Sequence, residues 1–163
     1  MKFEIRDAFP APPDVLFASL IDADVEQRLA AMAQAERAVL DEQIVDGKTV
    51  RRVRFSSANP AFSQLARLIG SNTVTYEQHL EIDHAAMSVS WKMIPPAAAD
   101  KLSAEGRFWV VPHADGSERL VQGEVQVKIP MVGGALEGRV VDAIKKIYAK
   151  GSQYRRELLS RRT

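Results

Sequence analysis

Three polar residues stand where strands should present apolar ones. Asp7 shares its parity with Phe3, Ile5 and Phe9, Arg51 with Val53 and Phe55, and Gln78 with Val74, Tyr76, Leu80 and Ile82. A carboxylate, a guanidinium and an amide on an inward face can anchor the polar end of a ligand. Asp7, Arg51 and Tyr148 are also the groups that a proton-transfer enzyme would need in a pocket, with burial tuning their pKa values. The plainer reading is that such residues satisfy one another or reach solvent at strand ends. The histidines offer less. His79 and His84 are separated by an odd number of residues, so a continuous strand puts them on opposite faces, and His113 falls in a turn. No carboxylates cluster with them, so no metal site is expected. The chain has no cysteine, which excludes disulfides, thiolate metal sites and a cysteine nucleophile. No G-x-S-x-G elbow supports acyl chemistry. Gly133-Gly134 precedes a helix, yet neither G-x-G-x-x-G nor a G-K-[ST] ending accompanies it, so a tight turn is the simpler role. No cofactor is implied.

The elements that must position these residues are legible from period. Leu120 to Ile129 alternates, with Val121, Gly123, Val125, Val127 and Ile129 on one face and Gln122, Glu124, Gln126 and Lys128 on the other. After a break at residues 130–134, a helix runs from Ala135 to Ser160, with Leu136, Val140, Ile144, Ile147, Gly151, Tyr154 and Leu158 in one stripe. Earlier, a strand at 2–9 is followed by two short helices, one beginning at Asp14 after prolines and one capped by Asp22 or Asp24. Strands at 37–45 and 49–57 flank Asp46-Gly47, a hairpin signal. Asn59-Pro60 opens a short helix over 61–69. Strands at 72–82, 86–94 and 102–111 follow. The fold class is α+β: a seven-stranded curved antiparallel sheet wrapped around a long C-terminal helix.

The 163 residues suit a single domain, 1–163. A net charge of +1 gives no global field for nucleic acid, and none is expected as a partner. The charged, alternating first strand and the lack of a long apolar run make a soluble cytoplasmic protein the expectation. The C-terminal helix is basic, with Arg139, Lys145, Lys146, Lys150, Arg155, Arg156, Arg161 and Arg162 against Asp142 and Glu157. A solvated helix face accounts for such a run, and transient docking on an anionic membrane is the functional alternative.

The element order, together with the segments Phe9-Pro-Ala-Pro-Pro-Asp-Val-Leu-Phe17 and Gly123-Glu-Val-Gln-Val-Lys-Ile-Pro-Met-Val-Gly-Gly134, resembles the START-like (polyketide cyclase, helix-grip) superfamily, and within it a bacterial family of unknown function. The extra short helix between strands 3 and 4 fits too. The resemblance covers nearly the whole chain. It implies a cavity between the sheet and the C-terminal helix that binds a hydrophobic small molecule such as a lipid, isoprenoid or sterol-like compound. Residues expected to line it are Phe62, Leu65 and Ile69 of the short helix, Tyr76, Met87, Trp91, Met93, Phe108, Val125 and Val127 of the sheet, and Ile144, Tyr148 and Gly151 of the long helix. Asp7, Arg51 and Gln78 are the candidate polar anchors. Gly106, Gly123 and Gly151 fall on inward positions, where a missing side chain leaves room. Binding or carriage without catalysis is the leading expectation. A cyclase- or dehydratase-type enzyme on an apolar or polyketide-like substrate, and an interaction module with a filled core, are the alternatives.

Overall fold

The structure, a computed structural model, describes the chain except residues 61, 62, 69–71, 97, 162 and 163, and except the side chains of residues 64, 65 and 68. Strand β1 (Lys2–Phe9) leads into helices α1 (Pro13–Ile21) and α2 (Ala23–Met32). Pro13 begins α1, where its missing N–H costs nothing. Asp22 caps α2, its Oδ1 accepting from the backbone N–H groups of Asp24 at 2.9 Å and Val25 at 3.2 Å. Strands β2 (Ala35–Val45) and β3 (Lys48–Ser57) form the expected hairpin. Asp46 and Gly47 both take left-handed φ, 52° and 79°, which matches the twist of the flanking strands. Helix α3 (Ser63–Leu68) follows, then β4 (Val74–Asp83), β5 (Ser88–Ile94), β6 (Leu102–His113) and β7 (Gly116–Val127), and finally α4 (Gly133–Ser160), 28 residues long.

All seven strands join one antiparallel sheet in the order β1-β7-β6-β5-β4-β3-β2. From β2 to β7 the sheet is a meander. The two chain-end elements close it, with β1 pairing on β7 and α4 lying across both on the concave side. This is a helix-grip fold. Its apolar interior forms two clusters. One gathers Phe3, Val74, Leu102, Val121, Val125 and Val127 under Leu136, Val140 and Val141 of α4. The other gathers Phe9, Val53, Ile82, Val89 and Val110 under Leu16, Phe17 and Leu20 of α1 and Leu159 of α4.

The buried stripe of α4 differs from the one read by period. Its second half turns inward through Ser152, Arg155 and Leu159, while Tyr154 and Leu158 stay half-exposed. The cause is two buried arginines. Arg119, on β7, donates from Nη2 to Asp7 Oδ2 at 2.8 Å and to Ser152 Oγ at 2.9 Å. Arg155, on α4, donates from Nη1 to the Ser19 carbonyl at 2.6 Å and from Nη2 to Glu26 Oε1 at 2.6 Å. The first pair pins α4 to β1 and β7, and the second pins it to α1 and α2. Charged donors with ionised acceptors make strong, directional ties, so they fix the helix position as well as its rotation.

Candidate functional site

Where α4 is pinned decides how the sheet is covered. It docks chiefly on β7 and β1, α1 on β6 and β7, and α2 on β2. On β3, β4 and β5 the helices are met through side chains, with Val53, Ile82 and Val89 under α1 and Leu159, and Tyr76, Trp91 and Met93 in the cluster that Leu136, Val140 and Val141 of α4 share. Directly paired residues share a face of the sheet, so the register gives the rows on the concave side. One row is Arg37, Phe55 and Tyr76. The next runs Val53, Gln78, Met93, Ala104, Val125, and the next Arg51, Leu80, Trp91, Gly106, Gly123, Phe3. Phe108 follows between Val89 and Val121. Phe55, Tyr76, Gln78, Trp91, Met93 and Phe108 are all half-buried, whereas Val53, Val89, Val121 and Val125 around them are closed off.

The residues expected to line a cavity thus divide. Tyr76, Trp91, Met93 and Phe108 from the sheet and Ile144 and Tyr148 from α4 are half-buried and pack against the first cluster, and Gly151 is half-buried on α4. Val125 and Val127 lie in closed core beneath α4. Met87 sits in the β4–β5 turn with φ 47°, ahead of the strand, and packs against the second cluster. Phe62 and Ile69 lie outside the described residues. Leu65 belongs to α3, and its side chain lies outside them too. Gly106 and Gly123 do not leave open room. A Cβ at Gly106 would meet Trp91 Cζ2 at 2.6 Å, and one at Gly123 would meet Phe3 Cζ at 2.5 Å and Trp91 Cζ2 at 3.0 Å. The glycine pair is the seat of the Trp91 and Phe3 rings. A Cβ at Gly151 would meet only Leu29 Cδ2, at an ordinary 3.9 Å.

The polar candidates divide as well. Asp7 is held by Arg119, with Arg156 Nη2 at 3.9 Å from its other oxygen. Arg51 donates to Glu42 Oε2 at 2.8 Å and to the Ile21 carbonyl at 2.7 Å, tying β3 to its hairpin partner and to the end of α1. Gln78 is different. Among the described residues its amide has no hydrogen-bond partner, although it faces the concave space. Three further donors there are unpaired in the same sense. They are the buried Nε1 of Trp91 and the hydroxyls of Tyr76 and Tyr148. Burial pushes both phenols up from their ordinary pKa, and for Tyr76 the neighbouring Tyr148 adds to the rise. For Tyr148 the Arg119 guanidinium, 4.7 Å from its ring centre, works in the opposite direction. Sequence reasoning missed Arg119 because it began β7 at Leu120, and it missed Arg155 as a core residue because arginine in a helix reads as surface.

Two open depressions lie elsewhere. One is on the convex face, lined chiefly by outward residues such as His79, Glu81, Ser90, Lys92 and Glu105. The other follows β7, around Ile129 to Gly134. Both are open to solvent, so they enclose a small molecule poorly. The histidines remain apart, His79 beside Glu77 at 3.1 Å, His84 bonded to Thr49 at 2.9 Å and His113 beside Glu118 at 3.6 Å. No three metal-ligating side chains converge among the described residues. No helix among them is long and apolar enough to cross a membrane. Of the basic residues on α4, Arg155 is buried and Arg156 donates to the Ala8 carbonyl, while Lys145, Lys146 and Lys150 are exposed.

Solved structures share this architecture. TTHA0849 from Thermus thermophilus is 18% identical with a TM-score of 0.72, covering 98% of this chain and 99% of that one. A START superfamily protein from Mycobacterium smegmatis is 15% identical with a TM-score of 0.66, covering 97% and 98%. The Zhui aromatase/cyclase from Streptomyces sp. R1128 is 12% identical with a TM-score of 0.63, covering 96% and 93%. At such identities the likeness is one of fold. No curated protein sequence matches the chain. The family model for a protein of unknown function, DUF2505, matches residues 4–159. The chain therefore belongs to the DUF2505 family and carries a START-like helix-grip fold.

Proposed function

We propose that the protein binds and carries a hydrophobic small molecule, of lipid, isoprenoid or sterol-like type, between the concave side of β3–β5 and helix α4. The observation that supports this is the half-buried set Tyr76, Trp91, Met93 and Phe108 on the concave face of the sheet. A filled core would bury these large side chains as fully as it buries Val53 and Val89. Aromatics and methionines offer an adaptable apolar wall, and burial of ligand surface stabilises the complex by about 25 cal/mol per Å² before ordering costs. The fold is shared with an aromatase/cyclase, but carriage is favoured over catalysis here. Asp7 and Arg51 are engaged in the fold, and the phenols of Tyr76 and Tyr148 are pushed away from the range where they would exchange a proton at neutral pH. The exposed Lys145, Lys146 and Lys150 would suit contact with an anionic bilayer during loading.

The test is a fluorescence titration of the Trp109→Phe variant, whose emission then reports Trp91 alone. A shift that saturates with apolar ligands supports the reading. An unaltered Trp91 spectrum, joined with native mass spectra showing neither a co-purified nor an added apolar ligand, rejects it.

A further inference from the structure

We propose that the ligand is an amphiphilic monocarboxylate, its carboxylate received by Arg37 and its apolar body laid along Tyr76, Met93 and Trp91; this rests on the binding reading above. Arg37 begins the concave row Arg37, Phe55, Tyr76, so its side chain leaves the sheet on the same side as the half-buried aromatics. The stacked Phe55 and Tyr76 rings, 4.9 Å apart and 28° from parallel, continue that row as an apolar floor.

The other arginines buried on this side each have a carboxylate. Arg51 has Glu42 at 2.8 Å, Arg119 has Asp7 at 2.8 Å and Arg155 has Glu26 at 2.6 Å. Arg37 is half-buried, and among the described residues no hydrogen bond or ion pair reaches its guanidinium. Glu26 lowers the cost of its charge at a distance but is committed to Arg155. Burial nevertheless pulls the Arg37 pKa down, and the neighbouring Arg51 adds to that. A guanidinium cannot escape by losing its proton, so a ligand that expels the remaining water must bring it a counter-charge. One unmatched positive charge calls for one negative charge. A phosphate ester would bring up to two, beside Glu26. A carboxylate also matches the guanidinium fork geometrically. The hydroxyl of Tyr76, unpaired among the described residues and in the same concave row as Arg37, is a second donor for the same head group.

The test uses pyrenebutanoic acid and pyrenebutanol, which share an apolar body and differ in the head group, with binding read by anisotropy at neutral pH. The wild-type protein is expected to bind the acid about ten- to a hundredfold more tightly than the alcohol, the range for a charge-assisted hydrogen bond. Arg37→Gln should erase that preference, while Arg37→Lys should keep part of it. Equal binding of both probes by the wild type overturns the carboxylate assignment while the carrier reading stands. So does a preference that survives Arg37→Gln. Tighter binding of dodecyl phosphate than of dodecanoate overturns the choice of a monoanion. Binding of neither pyrene probe overturns both readings.

Discussion

The Asp7–Arg119–Ser152 tie holds α4 over β1 and β7, so replacing Asp7 should loosen that docking. In Asp7→Ala, the Arg119 guanidinium keeps only Ser152 Oγ as an acceptor, with the rings of Phe9 at 5.7 Å and Tyr148 at 4.7 Å as cation–π partners. Among the described residues its Nε has no hydrogen-bond partner even in the wild type. The Arg119 side chain is 7% exposed and that of Asp7 is 11% exposed, so solvent cannot take over the lost bond without opening the interface. Removing one member of a buried pair costs about 3–5 kcal/mol. The remaining Ser152 contact and the slight exposure place this case near about 3 kcal/mol. For a domain this size, with a urea m-value of about 2 kcal/mol/M, the unfolding midpoint should fall by about 1.5 M. Far-UV circular dichroism in urea measures it. The double variant Asp7→Leu/Arg119→Met replaces both charges with apolar groups and should return to within about 1 kcal/mol of wild type. A midpoint shift below about 0.5 M for Asp7→Ala would refute the claim that the pair is buried and strongly coupled. So would a double variant as unstable as the sum of its parts.

Two further outcomes follow from single positions. Gly151→Ala should raise the melting temperature by about 2–4 °C, because alanine is about 1 kcal/mol better within a helix and the added Cβ meets only Leu29 at van der Waals distance; a lower melting temperature would mean that the glycine is required for close approach. Glu137 accepts from the Val127 backbone N–H at 3.3 Å and from the Met1 ammonium at 3.2 Å, which hold its pKa below the ordinary 4.5. Its contribution is therefore full above pH 4.5 and lost as pH falls through the depressed folded value. The melting-temperature gap between wild type and Glu137→Gln should shrink on acidification through that window, and a gap constant with pH contradicts the assignment.

Much of the scaffold was legible because its signals are local. The alternation through Val121, Val125 and Val127, the Asp46-Gly47 turn and the Asp22 cap each depend on neighbours in sequence. The strand parities also identified which side chains look inward. How deeply each is buried was not legible, because that depends on where α4 comes to rest. Its resting place is set by Arg119 and Arg155, whose partners Asp7 and Glu26 lie 112 and 129 residues away. Hydropathy cannot mark a guanidinium as core when the carboxylate that permits its burial is that remote. Arg37 escaped notice for the converse reason. It looks like any charge near a strand start, and only the absence of a counterpart among the described residues, visible once the elements are assembled, sets it apart.

The strand order also bears on how the chain reaches this state. From β2 to β7, each strand pairs with the next, so those contacts can form by successive hairpins with small loop-closure cost. The β1–β7 pairing joins residues more than a hundred positions apart, as the Asp7–Arg119 bond does. It requires β7 to be in place first. Refolding should therefore proceed through a six-stranded meander in which β1 is still free, and docking of β1 and α4 should set the slow step. Weakening the β1–β7 seam should retard folding, whereas equal damage to the β2–β3 hairpin at the far edge should chiefly hasten unfolding.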